Sequence, residues 1–440
     1  MLEGRTCLVS RVFPNSCQQE TKWIYMPYQH EIDIPASKRA LEIDFESNSS
    51  DSEDDFRHKR KSRKLLDSPK TTREQSNDQQ HAGDSLDLDS LIHSIGRDNS
   101  ISCLIRCSRS DYGSLASLNQ SFRSLIRSGE LYKLRRLNGV IEHWVYFSCH
   151  LVEWEAFDPI RRRWMHLPSM NSNECFIFSD KESLAVGTEL LVFGKEVTSH
   201  VIYRYSILTN SWSTGMRMNA PRCLFGSASR GEIAILAGGC DPQGRILSSA
   251  ELYNSETQTW VTLPSMNKPR KMCSGVFMDG KFYVIGGIGG CESKLLTCGE
   301  EFDLDSRTWN EIPNMSPGRS GASRETDMPA SAEAPPLLAV IHDELYAADY
   351  ADMEVRKYDK ERKLWFTVGR LPERAGSMNG WGLAFRACGD RLIVIGGPRS
   401  SGEGFIELNS WVPSEGPPQW DLLARKQSSN FVYNCAVMGC

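Results

Sequence analysis

Glu232–Gly239, EIAILAGG, and Ala250–Met266, AELYNSETQTWVTLPSM, decide the fold. The first is an apolar strand stopped by a glycine pair. The second is a strand carrying Tyr253, then a polar turn, then a strand carrying Trp260. The pattern returns along the chain: KFYVIGG stops at Gly286–Gly287 and RLIVIGGP at Gly396–Gly397, while EEFDLDSRTWNEIPNM and IYRYSILTNSWSTGM repeat the aromatic-then-tryptophan plan. Weaker copies read VRKYDKERKLWFTVGRLP and WEAFDPIRRRWMHLPSM. The repeat tryptophans Trp164, Trp212, Trp260, Trp309, Trp365 and Trp420 stand 48, 48, 49, 56 and 55 residues apart. A period of this length suits four short strands, the content of one propeller blade. The two long spacings have local causes, GRSGASRETDMPASAEAPP before the fifth copy and GEGFIELNSWVPSEGPPQ within the sixth.

The end of the chain follows from the same pattern. Inner strands precede the glycine-pair strands in the later copies, as CLFGSAS, KMCSGVF, PPLLAVI and NGWGLAF, and the terminal FVYNCAVM is their close relative. The first copy, EHWVYFSCHLVEWEAFDPIRRRW, begins at its second strand. The C-terminal strand is therefore expected to enter the first blade and close the ring, which leaves no sheet edge exposed.

The rest of the composition fits a soluble globular protein. The 440 residues are 40% hydrophobic and 24% charged, enough for a large core. A net charge of −5 exerts no general pull toward nucleic acid or anionic membrane, and neither partner is expected. The opening MLEGRTCLVSRVF has no apolar run of signal-peptide length, and no stretch is long enough to span a bilayer. The 14 cysteines are scattered without a C-x-x-C, so most are expected to be buried thiols in a reducing compartment.

Residues 1–85 read as a disordered polar tail, in which NSSDSEDD runs into HKRKSRK. Its basic run, Lys59, Arg60, Lys61, Arg63 and Lys64, is compatible with nuclear import, and equally with a solvated charge run. Residues 86–137 read as helical. Ile101, Leu104 and Ile105 share one stripe, and Leu115, Leu118, Phe122, Leu125 and Ile126 a second. Asn99 or Ser100 should cap the first helix and Ser110 or Asp111 the second, with Gly129 as its stop. So short a pair must rest its apolar faces on a third helix, Leu86 to Ile95, or on a partner protein.

Glycine pair, Tyr or Phe, and Trp at these offsets resemble the kelch repeat. SCLIRCSRSDYGSLASLNQSFRSLIRSGELYKL resembles an F-box, with Ile95–Gly96 where that family opens on Leu-Pro and His93 where a second proline is common. Together the two zones resemble plant-type F-box/kelch-repeat proteins. The expected fold is mainly all-β: a six-bladed kelch β-propeller over 140–440, preceded by a small α-helical F-box and the tail. The resemblance implies a non-catalytic subunit of an SCF-type ubiquitin ligase in the nucleus and cytoplasm. Its F-box would bind a SKP-type adaptor, and through it a cullin, using Ile101, Leu104, Ile105, Leu115, Leu118, Phe122 and Leu125. Its propeller would hold an unidentified protein substrate.

Glycines and tryptophans of the repeat are structural by default, since turn geometry and blade packing already require them. Ten residues after Trp212, Trp260 and Trp309 stand Arg222, Arg270 and Arg319, and nine after Trp365 stands Arg374. Equivalent loops would carry them to one mouth, where guanidinium forks suit an acidic or phosphorylated peptide. The competing role is bonding neighbouring backbone. An enzyme is the weaker alternative. The nine histidines are dispersed, with no H-x-H or H-x-x-x-H in the propeller, so no metal or other cofactor is expected. A kelch scaffold without ubiquitin transfer is the other alternative.

Overall fold

A computed structural model describes residues 91–440, apart from 93–94, 150–152, 178, 180, 198, 291–293, 318–332, 376, 378, 398–403 and 429. The tail, its basic run and the expected helix from Leu86 fall wholly or largely outside the described residues.

Alternation of apolar residues in the repeats forms six four-stranded antiparallel sheets, each one blade. Blade 2 comprises Glu182–Val186, Glu189–Lys195, His200–Ser206 and Ser211–Thr214; blade 3 comprises Gly226–Arg230, Ile233–Ala237, Ala250–Asn254 and Thr259–Leu263. Blades 4, 5 and 6 begin at Ser274, Leu337 and Ala384 and repeat the order. Blade 1 takes His143–Ser148, Glu155–Asp158 and Arg163–His166, and its inner strand is Asn434–Gly439. The register runs from His143 opposite Gly439 to Ser148 opposite Asn434. Glu142 and Cys440 exchange backbone hydrogen bonds at 2.9 and 3.1 Å beyond it. The inner strands of neighbouring blades touch all the way round, including Asn434–Gly439 against both Ala384–Cys388 and Glu182–Val186. The ring is closed by its two chain ends, as the terminal octet implied.

The tryptophans join the blades. Trp212, Trp260, Trp309, Trp365 and Trp420 each donate an indole N–H to a backbone oxygen of the preceding blade: Pro168, Met216, Pro264, Met315 and Arg370, at 2.8–3.2 Å. The glycine pairs make the tight approach expected of them. At Gly239, φ is +90°, and a Cβ would stand 2.4 Å from the Cys223 carbonyl oxygen.

Each blade has two ends. At the top lie the segments leading into the inner strands and the turns from second to third strand; at the bottom lie the other hairpins. The helices α1 (Gly96–Leu104), α2 (Tyr112–Leu118), α3 (Gln120–Arg127) and α4 (Glu130–Leu137) sit on the bottom of blades 1–3. Three local expectations change. Asn99 and Ser100 lie inside α1, which starts at Gly96 with φ +75°, a value closed to proline with its fixed φ of about −65°. The expected second helix is broken at Asn119, whose extended backbone ends α2 and whose side chain accepts from Phe122 N at 2.9 Å to start α3. Asp111 does take the N-cap position of α2, but its side chain makes no capping bond; the side-chain cap is Ser108, which accepts from Ser110 N ahead of the 3-10 turn Arg109–Asp111. Gly129, with φ +80°, does stop α3.

Helices and propeller share one core, in which Leu104, Phe122, Leu125 and Leu131 join Trp144, Tyr146, Met438 and Cys440. Charged groups fix the joint. Arg109 donates to Tyr146 Oη at 2.9 Å and to Glu142 O at 3.2 Å, with its guanidinium 4.6 Å above the Trp144 ring. Glu142 also accepts from Arg109 N and stands 3.4 Å from the fully buried Arg135. Arg136 pairs with Glu232, and Lys133 with Glu256 at 2.9 Å, both from blade 3 hairpins.

Candidate functional site

Two surfaces are candidates, the helical unit below and the top of the propeller above. On the helical unit, Ile101, Leu104, Ile105, Phe122 and Leu125 are 4–9% exposed and lie in the shared core. They are buried within the core that the helices share with blade 1 and do not form the free face expected to meet an adaptor. Leu115 is half-buried against the same core, whereas Leu118 is 66% exposed. Leu137, Ile92 and Ile95 add apolar surface at the ends of helices. Of the seven residues expected to dock, only Leu118 projects fully into solvent.

At the top, the arginines meet a different fate from the one expected. Arg222 and Arg270 are 1% and 0% exposed. Arg222 pairs with Glu251 at 2.7 Å and donates to the carbonyls of Ala220, Gly238 and Ser249. Arg270 pairs with Glu300 at 2.6 Å and donates to those of Gly286 and Cys298. Each carboxylate also accepts two backbone N–H groups, Asn219 and Ala220 for Glu251, Asn267 and Lys268 for Glu300. Burial pulls the Arg222 guanidinium below its ordinary pKa, and Glu251 opposes that pull. Both guanidiniums are turned into the blade, with Arg270 Nε buried there without a hydrogen-bond partner, so the expectation that they grip a partner is replaced by the backbone-bonding role. Arg319 lies outside the described residues. Arg374 falls in the turn Glu373–Ala375, and its side chain is likewise outside them.

Sequence reasoning missed the partners of these arginines. The signal was present: Glu251 and Glu300 both stand nine residues before the repeat tryptophan, as does Glu155 before Trp164. It also missed what the top does expose. Val197, Met216, Leu295, Trp381, Phe431 and Tyr433 are 38–75% exposed, all in segments that open onto this face. Phe431 and Tyr433 rest with ring centroids 4.7 Å apart, and Phe431 packs over Gly382, next to Trp381. Partly exposed aromatics of this kind suit a protein partner better than a small ligand. Among the described residues, no group of three or more His, Cys, Asp or Glu is placed to hold a metal ion.

The comparisons with known proteins agree with this architecture. The Kelch motif matches residues 221–267 and 269–316, the two blades that carry the buried Arg–Glu pairs. The chain is 64% identical to the F-box/kelch-repeat protein SKIP11 of Arabidopsis thaliana, over 100% of both chains. It is 62% and 58% identical to the F-box/kelch-repeat proteins At1g26930 and At1g74510 of the same plant, again over 100% of each. With that identity carried across tail, helices and all six blades, the chain belongs to the F-box/kelch-repeat proteins.

Proposed function

We propose that the chain is the substrate-recognition subunit of an SCF-type ubiquitin ligase. Its helical unit docks a SKP-type adaptor, and through it a cullin, while the top of the propeller holds the target protein. Catalysis then belongs to other subunits. The observation that carries this reading is the placement of the helices. They are locked to the bottom of blades 1–3 by Arg109, Glu142 and Arg136, which leaves the opposite face open with its exposed Trp381, Phe431 and Tyr433. An adaptor on one side and a target on the other are thereby held at a fixed separation. The basic run Lys59–Lys64 supports residence in the nucleus as well as the cytoplasm.

The test is co-purification of the full chain with a SKP-type adaptor. Leu118→Asp should abolish capture, because an unpaired carboxylate in an apolar interface costs several kcal/mol. Its thermal midpoint should stay unchanged, because Leu118 is exposed. Leu104→Asp, buried in the shared core, should instead unfold the helical unit. A wild-type chain that captures no SKP-type adaptor would favour a kelch scaffold without ubiquitin transfer, a reading to which Gly96 in place of the family's proline lends some weight.

A further inference from the structure

At the top of blade 3, Cys223 and Cys240 face each other across an isolated antiparallel bridge. Cys223 N donates to Cys240 O at 3.0 Å and Cys240 N to Cys223 O at 2.8 Å. Reciprocal bonding of this kind sets the Cα atoms about 5.5 Å apart, within the span that a disulfide bridges without backbone movement. The two Sγ atoms are already 3.5 Å apart. Both backbones are anchored: Arg222 beside the first is tied to Glu251, and Gly239 beside the second packs on the Cys223 carbonyl. Side-chain rotation alone is left to complete a bond.

The chemistry of the site sets it apart from four other buried thiols. Burial pushes Cys149 and Cys388 up to about 12, and Cys273 and Cys435 up to about 11, so these stay protonated and inert. Cys240 moves the other way. The hydrogen bond from Cys223 holds it below the ordinary thiol range, and Lys271 assists, against burial and the Asp241 carboxylate. Cys240 is 5% exposed, but Cys223 is only half-buried and gives a small oxidant a path to the pair.

We propose that Cys223 and Cys240 form a redox modification site that a hydroperoxide closes to an intramolecular disulfide and a dithiol reopens. The Cys240 thiolate attacks one oxygen of hydrogen peroxide and the O–O bond breaks. The departing oxygen leaves as water after taking a proton, and Cys240 becomes a sulfenic acid. The Cys223 sulfur then attacks the Cys240 sulfur; the S–S bond forms, the S–O bond breaks, and the hydroxide leaves as a second water with the Cys223 proton. Two thiols give up two electrons and one peroxide accepts them. In a reducing compartment such a bond is transient, as suits a sensor rather than a staple. It would tie the turn from Cys240 to Ser249 to the segment leading into blade 3, on the face that carries the exposed aromatics.

Peptide mapping of the full chain tests this. The folded protein is treated with hydrogen peroxide, blocked with N-ethylmaleimide and digested. The expected product is a cross-linked peptide pair joining Cys223 to Cys240, lighter by two hydrogens and released by dithiothreitol. In Cys223→Ser, oxidation should stop at Cys240 as a sulfenic acid that dimedone traps. Full alkylation of both cysteines after peroxide, or a bond from Cys240 to another cysteine, would overturn the proposal. The wild-type map alone separates these outcomes, so the test does not depend on the variant folding.

Discussion

Blades 3 and 4 are cut from continuous chain, whereas blade 1 is built from both ends of the propeller, and the same buried slot is filled differently in each. In blades 3 and 4 a glutamate nine residues before the tryptophan pairs with an arginine of its own blade, and both side chains are essentially sealed from water. In blade 1 the equivalent Glu155 has no such arginine, since Asn430 stands at that position. Its partners are Lys426, from the outer strand of blade 6, and His166 at 3.0 Å. Lys426 Nζ also lies 5.6 Å over the ring of Trp164. Blade 5 reverses the polarity, with Arg356 at the glutamate position bonding Asp349 at 2.9 Å. Blades 2 and 6 carry the uncharged Tyr203 and Trp411 at this position; where a blade does place a charge there, the charge is compensated, and the chain position of the compensating group varies. In blade 1 that variation is used to tie the seam, because the ion pair crosses from the last blade to the first.

The sharpest way to break the comparison is to remove one end. Deleting Asn430–Cys440 should unfold or aggregate the protein. It takes the inner strand from blade 1, strips Met438 and Cys440 from the core shared with the helices, and exposes two sheet edges. A truncated chain that stays monomeric with its melting midpoint intact would refute closure by the terminal strand.

Arg270→Ala comes next. It leaves the Glu300 carboxylate buried without its countercharge, a loss of about 3–5 kcal/mol, and partner binding should fall only as folded protein is lost. Lys426→Ala tests the other half of the comparison and should cost about 1 kcal/mol, because this pair is partly exposed and Glu155 keeps His166. Denaturant melts of the two variants side by side give the ranking. Equal losses would mean that the seam pair is as essential as the sealed one.

The smallest expected effect is a pH dependence confined to the seam. His143 pairs with Gly439 in blade 1, and its imidazole is held below its ordinary pKa, by burial first and Arg109 second, against Asp390. A histidine depressed in the folded state binds protons more readily once unfolded. Its stabilising contribution is therefore present above the unfolded value of about 6.5 and is lost as pH falls below it. The thermal midpoint should drop on acidification, and His143→Gln should flatten part of that slope. An unchanged acid slope in the variant would remove His143 from the account.

The repeats were legible because they are local. Two glycines after an apolar strand, and an aromatic seven residues before a tryptophan as with Tyr253 and Trp260, record turns and pairings made within one blade. The terminal strand was legible for the same reason, as an inner strand without a blade of its own. The helical stripes were legible only as stripes. Periodicity marks which side of a helix is apolar, and nothing in Leu104 or Phe122 said that it would be buried in a core shared with blade 1. The break at Asn119 was hidden inside a stripe that ran on through it. The arginines were visible and their partners were not, because Arg222 and Arg270 lie 29 and 30 residues from their glutamates.

By itself, then, the sequence determined the number of blades, their order and the way the ring closes. Each of these follows from hydrogen-bonding and side-chain alternation over a few residues, repeated until a sheet edge has nowhere to go but the other end of the chain. Only the tertiary structure decided that the helices sit on the bottom, that Leu118 is left outside while Leu104 is not, and that Arg222 and Arg270 face inward. Burial is a relation between distant segments: Arg109 reaches the Met438 carbonyl across 329 residues of sequence. A pattern within one segment records what that segment can bury, and only the packed molecule fixes what buries it.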